Sequence, residues 1–244
     1  MKQRLDQALA VAGLVTSRSQ AESYIRLGQV TVDGKVVTKP GTPVGDANLL
    51  KVTATEQYVS RAALKLASAA QLLKLDFSGK TVLDVGSSTG GFTQYVLKHG
   101  ANKVIAVDVG TDQLHPSLRT DERIELHEKT DIRDFITDQA IDLAVCDVSF
   151  ISLRQILPHV AELVGPKGVI IAMVKPQFEA GQSNLKHKGV IKNDSMRRDI
   201  LKEFENWARP HFMVTDKADS AVPGAKGNQE RFYCLRPITA TRAK

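Results

Sequence analysis

A chain of 244 residues is longer than one average domain, and its 42% hydrophobic and 25% charged residues exclude a largely disordered protein. The formal net charge of +6 and pI near 9.3 suit a polyanionic partner, because Lys and Arg displace counterions from phosphates. Cys146 and Cys234 sit in apolar stretches outside any C-x-x-C pair, so both read as buried, reduced thiols and no metal is expected. The N-terminus lacks a signal-peptide run and no stretch approaches the roughly 20 apolar residues of a membrane helix, so a cytoplasmic protein with no membrane partner is expected.

Residues 4–26 predict two short helices. Leu5, Leu9 and Ala12 fall at helical spacing, Gly13 to Thr16 breaks the pattern, and Ser17-Arg18-Ser19 can cap a second helix through Ile25. QVTVDGKVV alternates around the Asp33-Gly34 turn signal, and PGTPVGDANLLKV supplies a second turn and strand. This small α+β unit and its linker are expected to span 1–58. TATEQYVS has no periodicity, and the second unit, 59–244, opens with the helical run RAALKLASAAQLLKL.

Beyond Gly79, the segments TVLDVG, KVIAVDVG, IDLAVCDV and GVIIAMVKP read as parallel strands buried on both faces, with helices near 91–99, 153–164 and 194–208. Two further strands, near 211–216 and 230–236, are joined by PGAKGN and predict a terminal hairpin at the sheet edge. The fold class is doubly wound α/β.

TVLDVG runs into Ser87-Ser88-Thr89-Gly90-Gly91 and a helix, the arrangement that brings backbone close to a nucleotide cofactor. Its spacing, G-x-x-x-G-G, differs from the dinucleotide G-x-G-x-x-G. Asp84 at the strand end can balance an ammonium group, which S-adenosyl-L-methionine carries and NAD lacks. Asp108, ending the next strand, can accept from both hydroxyls of a ribose. Asp131, in HEKTDIRDF, either accepts from an adenine amine or serves as a helix cap.

Four residues converge on the carboxyl edge of the predicted sheet. Asp147 and Lys175 end consecutive strands, Lys65 lies on the helix that enters the domain, and Glu230 begins the last, oppositely running strand. Two structural ion pairs would use the same residues. Methylation of a ribose 2′-hydroxyl needs a weak nucleophile to approach alkoxide character, which an ammonium stabilises while a desolvated amine can take the proton. Lys175 suits that role, Asp147 would hold it in line, and Lys65 with Glu230 would form a supporting pair. Either lysine could take the proton.

The motifs DVGSSTGGFT, CDVSFISL, VKPQFEAG and GNQERF, with Lys65, Asp147, Lys175 and Glu230, resemble the TlyA family of rRNA cytidine 2′-O-methyltransferases, whose catalytic domain is FtsJ-like. The resemblance implies a Rossmann-like methyltransferase sheet with a small N-terminal α+β RNA-binding domain. It also implies S-adenosyl-L-methionine as cofactor, held by Asp84, Gly86, Ser88, Gly90, Gly91, Phe92, Asp108 and Asp147, with Phe150 lining the same pocket. RLDQALAVAGLVTSRSQAESYIRLGQVTVDGKVVTKPGTPV is similar to the RNA-binding domain named after small-subunit ribosomal protein four. Arg4, Arg18, Arg26, Lys35 and Lys39 on that unit could meet duplex phosphates, since A-form RNA is read mainly by shape. The implied partner is ribosomal RNA of the large subunit, and of the small subunit as a further target. The basic stretch NLKHKGVIKNDSMRR is a candidate RNA-contact loop. Alternative readings are a haemolysin-type membrane-active protein, a name the family carries, and a ribosome-assembly factor without catalysis.

Overall fold

The computed structural model describes residues 2–15, 17–54, 58–180, 190–191, 193–224 and 227–238. The chain begins with β1 (Gln3–Arg4), α1 (Leu5–Val11) and α2 (Arg18–Arg26), where Ser17 caps α2 by accepting from the Gln20 N–H at 3.1 Å. Then come β2 (Val30–Val32), β3 (Lys35–Val36), β4 (Pro43–Val44) and β5 (Leu50–Val52). β2 is central in a sheet of order β3-β2-β5, and β1 pairs antiparallel with β4. Asp33 and Gly34 both take positive φ, 51° and 79°, as a two-residue hairpin turn requires. The Asp33 carboxylate accepts from Asn48 Nδ2 at 2.7 Å and the Leu49 N–H at 2.8 Å, so the turn also anchors the loop before β5.

The second unit opens with α3 (Arg61–Leu73), capped by Ser60 and stopped by Lys74 in the left-handed region at φ 50°. Its Ala63, Leu66, Ala69 and Ala70 repeat at helical spacing and pack against the large sheet. The chain continues through β6 (Thr81–Val85), α4 (Gly91–Lys98), β7 (Lys103–Val107), β8 (Ile124–His127), β9 (Leu143–Cys146), α5 (Leu157–Val164) and β10 (Val169–Val174). It ends with α6 (Pro176–Glu179), α7 (Asp194–Ala208), β11 (Phe212–Asp219) and β12 (Arg231–Pro237).

The seven-stranded sheet has the order β11-β12-β10-β9-β6-β7-β8. β6 to β10 are parallel, whereas β12 runs antiparallel to β10 and forms the edge hairpin with β11. Alternate residues of β7 feed opposite faces: Ile105 and Val107 enter one core, Val104 and Ala106 the other. Burial on both faces is why these strands read as unbroken apolar runs rather than alternating ones. From β6 the chain winds to β7 and β8, then crosses to β9 on the other side of β6. That reversal opens a crevice at the carboxyl ends of β6 and β9.

A third core fills the N-terminal unit around Leu5, Leu9, Ala21, Tyr24 and Ile25. It also receives two residues of the second unit, Leu64 from α3 and Val222 from the β11–β12 connection. Hydrophobic packing therefore continues across the boundary expected at 58/59.

Candidate active site

The turn between β6 and α4 is shaped by glycines at three close approaches. At Gly86 φ is 83°, and a Cβ would stand 2.8 Å from the Asp147 carbonyl oxygen. At Gly90 φ is 87° and a Cβ would meet Leu118 and Leu114 at 2.5 and 2.7 Å. A Cβ on Gly91 would strike Ser60 Oγ and sit 2.9 Å from Ala62 Cβ, so this glycine lets α3 lie against the start of α4. Ser88 takes φ 45° between them, and its N–H donates to Asp108 Oδ2 at 2.8 Å. The other Asp108 oxygen accepts from the Gly110 N–H at 2.7 Å, which fixes the carboxylate plane at the crevice.

Two clefts meet there. The first, about 370 Å³, has Val85 and Val107 as an apolar floor, Asp108 and Asp131 along one side and Phe150 with Ile151 at the rim. The second, about 280 Å³, is polar and is lined by Ser60, Arg61, Lys65, Ser87 and Lys175. Gly86, Ser88, Asp147 and Ser149 belong to both.

Two ion pairs stand here: Lys175 and Lys65 line the polar cleft, Asp147 lines both clefts, and Glu230 is buried behind Lys65 and lines neither. Lys175 Nζ lies 2.6 Å from Asp147 Oδ1 and donates to Ser149 Oγ at 2.8 Å. Lys65 Nζ lies 2.6 Å from Glu230 Oε2. Burial pushes the Glu230 carboxyl above its ordinary pKa; Lys65 opposes the shift, Asp147 adds to it and Lys175 reduces it. The four side chains predicted from sequence thus form one electrostatically coupled group.

Asp84 is fully buried and lines neither cleft. One of its oxygens accepts from Thr93 Oγ1 at 2.6 Å, and the other has no hydrogen-bond partner among the described residues. Burial, helped by the charges of Asp147 and Asp108, pushes its carboxyl to about 7. Ser87 Oγ is likewise buried without a partner among the described residues.

Residues 58–237 match the FtsJ-like methyltransferase family and residues 3–48 the S4 domain. The 16S/23S rRNA (cytidine-2′-O)-methyltransferase TlyA of Mycobacterium tuberculosis is 38% identical over 243 residues, covering 97% of this chain and 90% of that protein. The chain belongs to the TlyA family. The 23S rRNA (cytidine-2′-O)-methyltransferase TlyA of Campylobacter jejuni is 44% identical over 182 residues, 73% of this chain and 71% of its own length. A solved structure named as a haemolysin, from Streptococcus thermophilus, superposes with a TM-score of 0.72 at 35% identity, over 98% of this chain and 89% of that one. Among the described residues no helix is long and apolar enough to cross a membrane, and no group of His, Cys, Asp and Glu is arranged to hold a metal.

The remaining predicted residues of this TlyA-family chain are placed unevenly. Phe92 borders the second cleft but is 2% exposed, its ring centroid 6.1 Å from that of Phe232 in the core. Asp131 lines the first cleft, but its oxygens accept from Arg133 Nε at 3.0 Å and Nη2 at 2.6 Å, which hold its carboxyl down to about 2. Phe150 is 91% exposed at φ 68°, with its ring centroid 5.2 Å from that of Phe178. Arg4, Arg18, Arg26, Lys35 and Lys39 are all exposed. Arg4 and Arg18 share the buried Asp6, at 2.9 and 2.7 Å. Burial works against the Asp6 charge, yet the two guanidiniums hold its carboxyl below the usual range. Of the basic stretch 184–198, residues 184–189 and 192 lie outside the described residues.

Two contributors were not singled out from sequence. Ser149, within CDVSF, accepts from Lys175. Glu179, within VKPQFE, accepts from Ser152 Oγ and the Leu153 N–H, both at 2.7 Å, and so ties α6 to the loop that carries Phe150. Both lie in motifs already marked, but their roles depend on loop geometry that spacing does not encode.

Proposed function

We propose that this chain transfers a methyl group from S-adenosyl-L-methionine to the ribose 2′-hydroxyl of a cytidine in ribosomal RNA, acting in the cytoplasm. The observation that carries this reading is the Lys175–Asp147 pair where an apolar and a polar cleft meet, with Lys65, backed by Glu230, on the polar side. The names of the TlyA relatives support cytidine and rRNA.

The residues present fit the cofactor. Gly86 leaves a backbone cradle that a Cβ would fill, Asp108 offers a fixed carboxylate for a ribose diol, and the apolar floor with Ile132 suits an adenine ring. Gly90 and Gly91 keep the turn tight, and Asp84 Oδ1 and Ser87 Oγ nearby have no partner among the described residues. When bound, S-adenosyl-L-methionine supplies an electrophilic methyl group on a sulfonium.

The protein's own part is to orient the acceptor hydroxyl and handle its proton. Asp147 and Ser149 hold Lys175 Nζ where the clefts join, and Nζ stabilises negative charge developing on the 2′-oxygen. To act as the base, Lys175 enters the step as a neutral amine, its own proton already released to water; Nζ takes the 2′-hydroxyl proton as the new bond to the methyl group forms, and the Asp147 carboxylate neutralises the resulting ammonium. Lys65 and Glu230 position the ribose from the opposite wall. Residues 1–58 serve as the RNA-docking part and residues 59–244 as the catalytic part, with Arg4, Arg18, Arg26, Lys35 and Lys39 meeting backbone phosphates.

The test is mass-spectrometric mapping of ribose methylation in rRNA from cells with and without the protein. Cytidine 2′-O-methylation that depends on the protein and on Lys175 is expected, and identical maps would refute the reading.

A further inference from the structure

Besides the residues that line the clefts, a short segment between β11 and β12 touches both halves of the molecule. Val222 is fully buried in the N-terminal core, beside Leu64, the residue preceding Lys65. Ser220 is 1% exposed; its N–H donates to the Glu230 carbonyl at 3.0 Å and its Oγ to the Val222 carbonyl at 2.7 Å. Between them, the Ala221 N–H donates to Ser68 Oγ at 3.2 Å, and that hydroxyl donates to the Lys65 carbonyl at 2.7 Å. One face of the segment is thus bonded to the backbone of Glu230, another to the helix turn bearing Lys65, and its apolar tip is seated in the RNA-binding unit. Gly224 completes the fit, since a Cβ there would lie 2.7 Å from Glu230 Oε1.

We propose that the 220–222 segment is a positioning element, in which Val222 and Ser68 set the Lys65–Glu230 pair according to how the N-terminal unit is seated. The N-terminal unit then contributes to the rate of the chemical step as well as to RNA docking. The physical reason is geometric. Lys65 and Glu230 come from elements far apart in sequence, and the 220–222 segment is bonded to the Glu230 backbone directly and to that of Lys65 through Ser68 Oγ, while plugged into a third body. A displacement of Val222 moves the carboxylate and the ammonium relative to each other, and a misplacement of about 1 Å in a catalytic group costs up to about a hundredfold in rate.

This inference rests on the proposed methyl transfer, so its test uses the full chain with rRNA as substrate. Val222→Ala, Val222→Ile and Ser68→Ala are compared with the parent in steady-state transfer at saturating cofactor, with kcat, the KM for RNA and the pH profile measured for each. Val222→Ala and Ser68→Ala are expected to lose about tenfold to a hundredfold in kcat, with the KM for RNA unchanged. Ser68→Ala leaves the apolar core intact, so its loss cannot come from failed folding of the N-terminal unit. Val222→Ile, which keeps the apolar tip, is expected to restore most of the rate. Glu230 faces Lys65 on α3, Asp147 after β9 and Lys175 after β10. Loosening the Lys65 contact removes the influence that lowers the Glu230 pKa, so the acid limb of the profile should move to higher pH in both slow variants. A raised KM for RNA with kcat and pH profile intact would overturn the inference and leave the N-terminal unit with docking alone. No transfer by the parent protein would overturn the functional reading and this inference with it.

Discussion

Lys175 Nζ is held from two directions, by Asp147 Oδ1 at 2.6 Å and by Ser149 Oγ at 2.8 Å, and Asp147 is at the same time a wall of both clefts. One carboxylate therefore orients the amine and borders the apolar cleft. Lys175→Ala should reduce methyl transfer by about 10²- to 10⁴-fold, the usual worth of a positioned acid–base group. Cofactor affinity should stay within about twofold, because the amine serves the reacting oxygen. Calorimetric binding alongside a transfer assay separates the two, and retained transfer would remove Lys175 from the mechanism.

Asp84 predicts a pH dependence of stability. Its pKa rises from an ordinary 3.8 to about 7 in the folded protein. Between those values the folded state keeps a proton that the unfolded chain has released, so stability falls as pH rises through the window and levels off above about 7. Asp84→Asn, which cannot ionise, should flatten that slope in denaturant unfolding carried out across the window. A slope that persists in the variant would assign the effect to another group.

Gly86→Ala should damage both fold and site. The residue sits at φ 83° and its new Cβ would press on the Asp147 carbonyl oxygen at 2.8 Å. A cost of roughly 1–3 kcal/mol in stability is expected for the backbone strain, together with weakened cofactor binding as the Asp147 segment is pushed away. Unfolding midpoints and a cofactor titration report these effects independently.

The exposed cations of the N-terminal unit predict a salt signature. Neutralising Arg26, Lys35 and Lys39 together should weaken RNA binding and make it less salt-dependent, by about one unit of the log–log slope for each phosphate that no longer meets a cation. Arg4 and Arg18 are poorer choices for such a measurement, because removing either also strips a partner from the buried Asp6. An unchanged slope in the triple variant would place the phosphate-binding cations elsewhere.

The large sheet was legible because its strands are apolar runs ended by Asp84, Asp108, Asp147 and Lys175, a pattern that burial on both faces imposes. The edge hairpin was legible from its turn-rich connection, and Asp33-Gly34 announced the small hairpin through its need for two positive φ values. Two-residue strands such as β1 and β4 have too little length to show a period. Sequence placed the four charged residues at one sheet edge and paired Asp147 with Lys175 and Lys65 with Glu230, the two pairs found in the structure, but it gave no sign of the Ser149 contact, which depends on loop geometry. Phe92 and Asp84 stand in the right motif, yet one ring turns into the core and one carboxylate is fully buried. Val222 gave no signal at all, because a lone valine in a turn-rich connection has no pattern that marks the far domain as its destination.

The antiparallel placement of β12 has a temporal consequence. A chain emerging from the ribosome completes β6 to β10, with Asp147 and Lys175, before Glu230 and its strand exist. Until β12 pairs along Ile170 to Val174, the apolar strand β10 has an open edge toward solvent, where another chain could pair with it. The closing strand therefore brings Glu230 to Lys65 and caps that edge in the same act, so completion of the charged group and protection from misassembly arrive together.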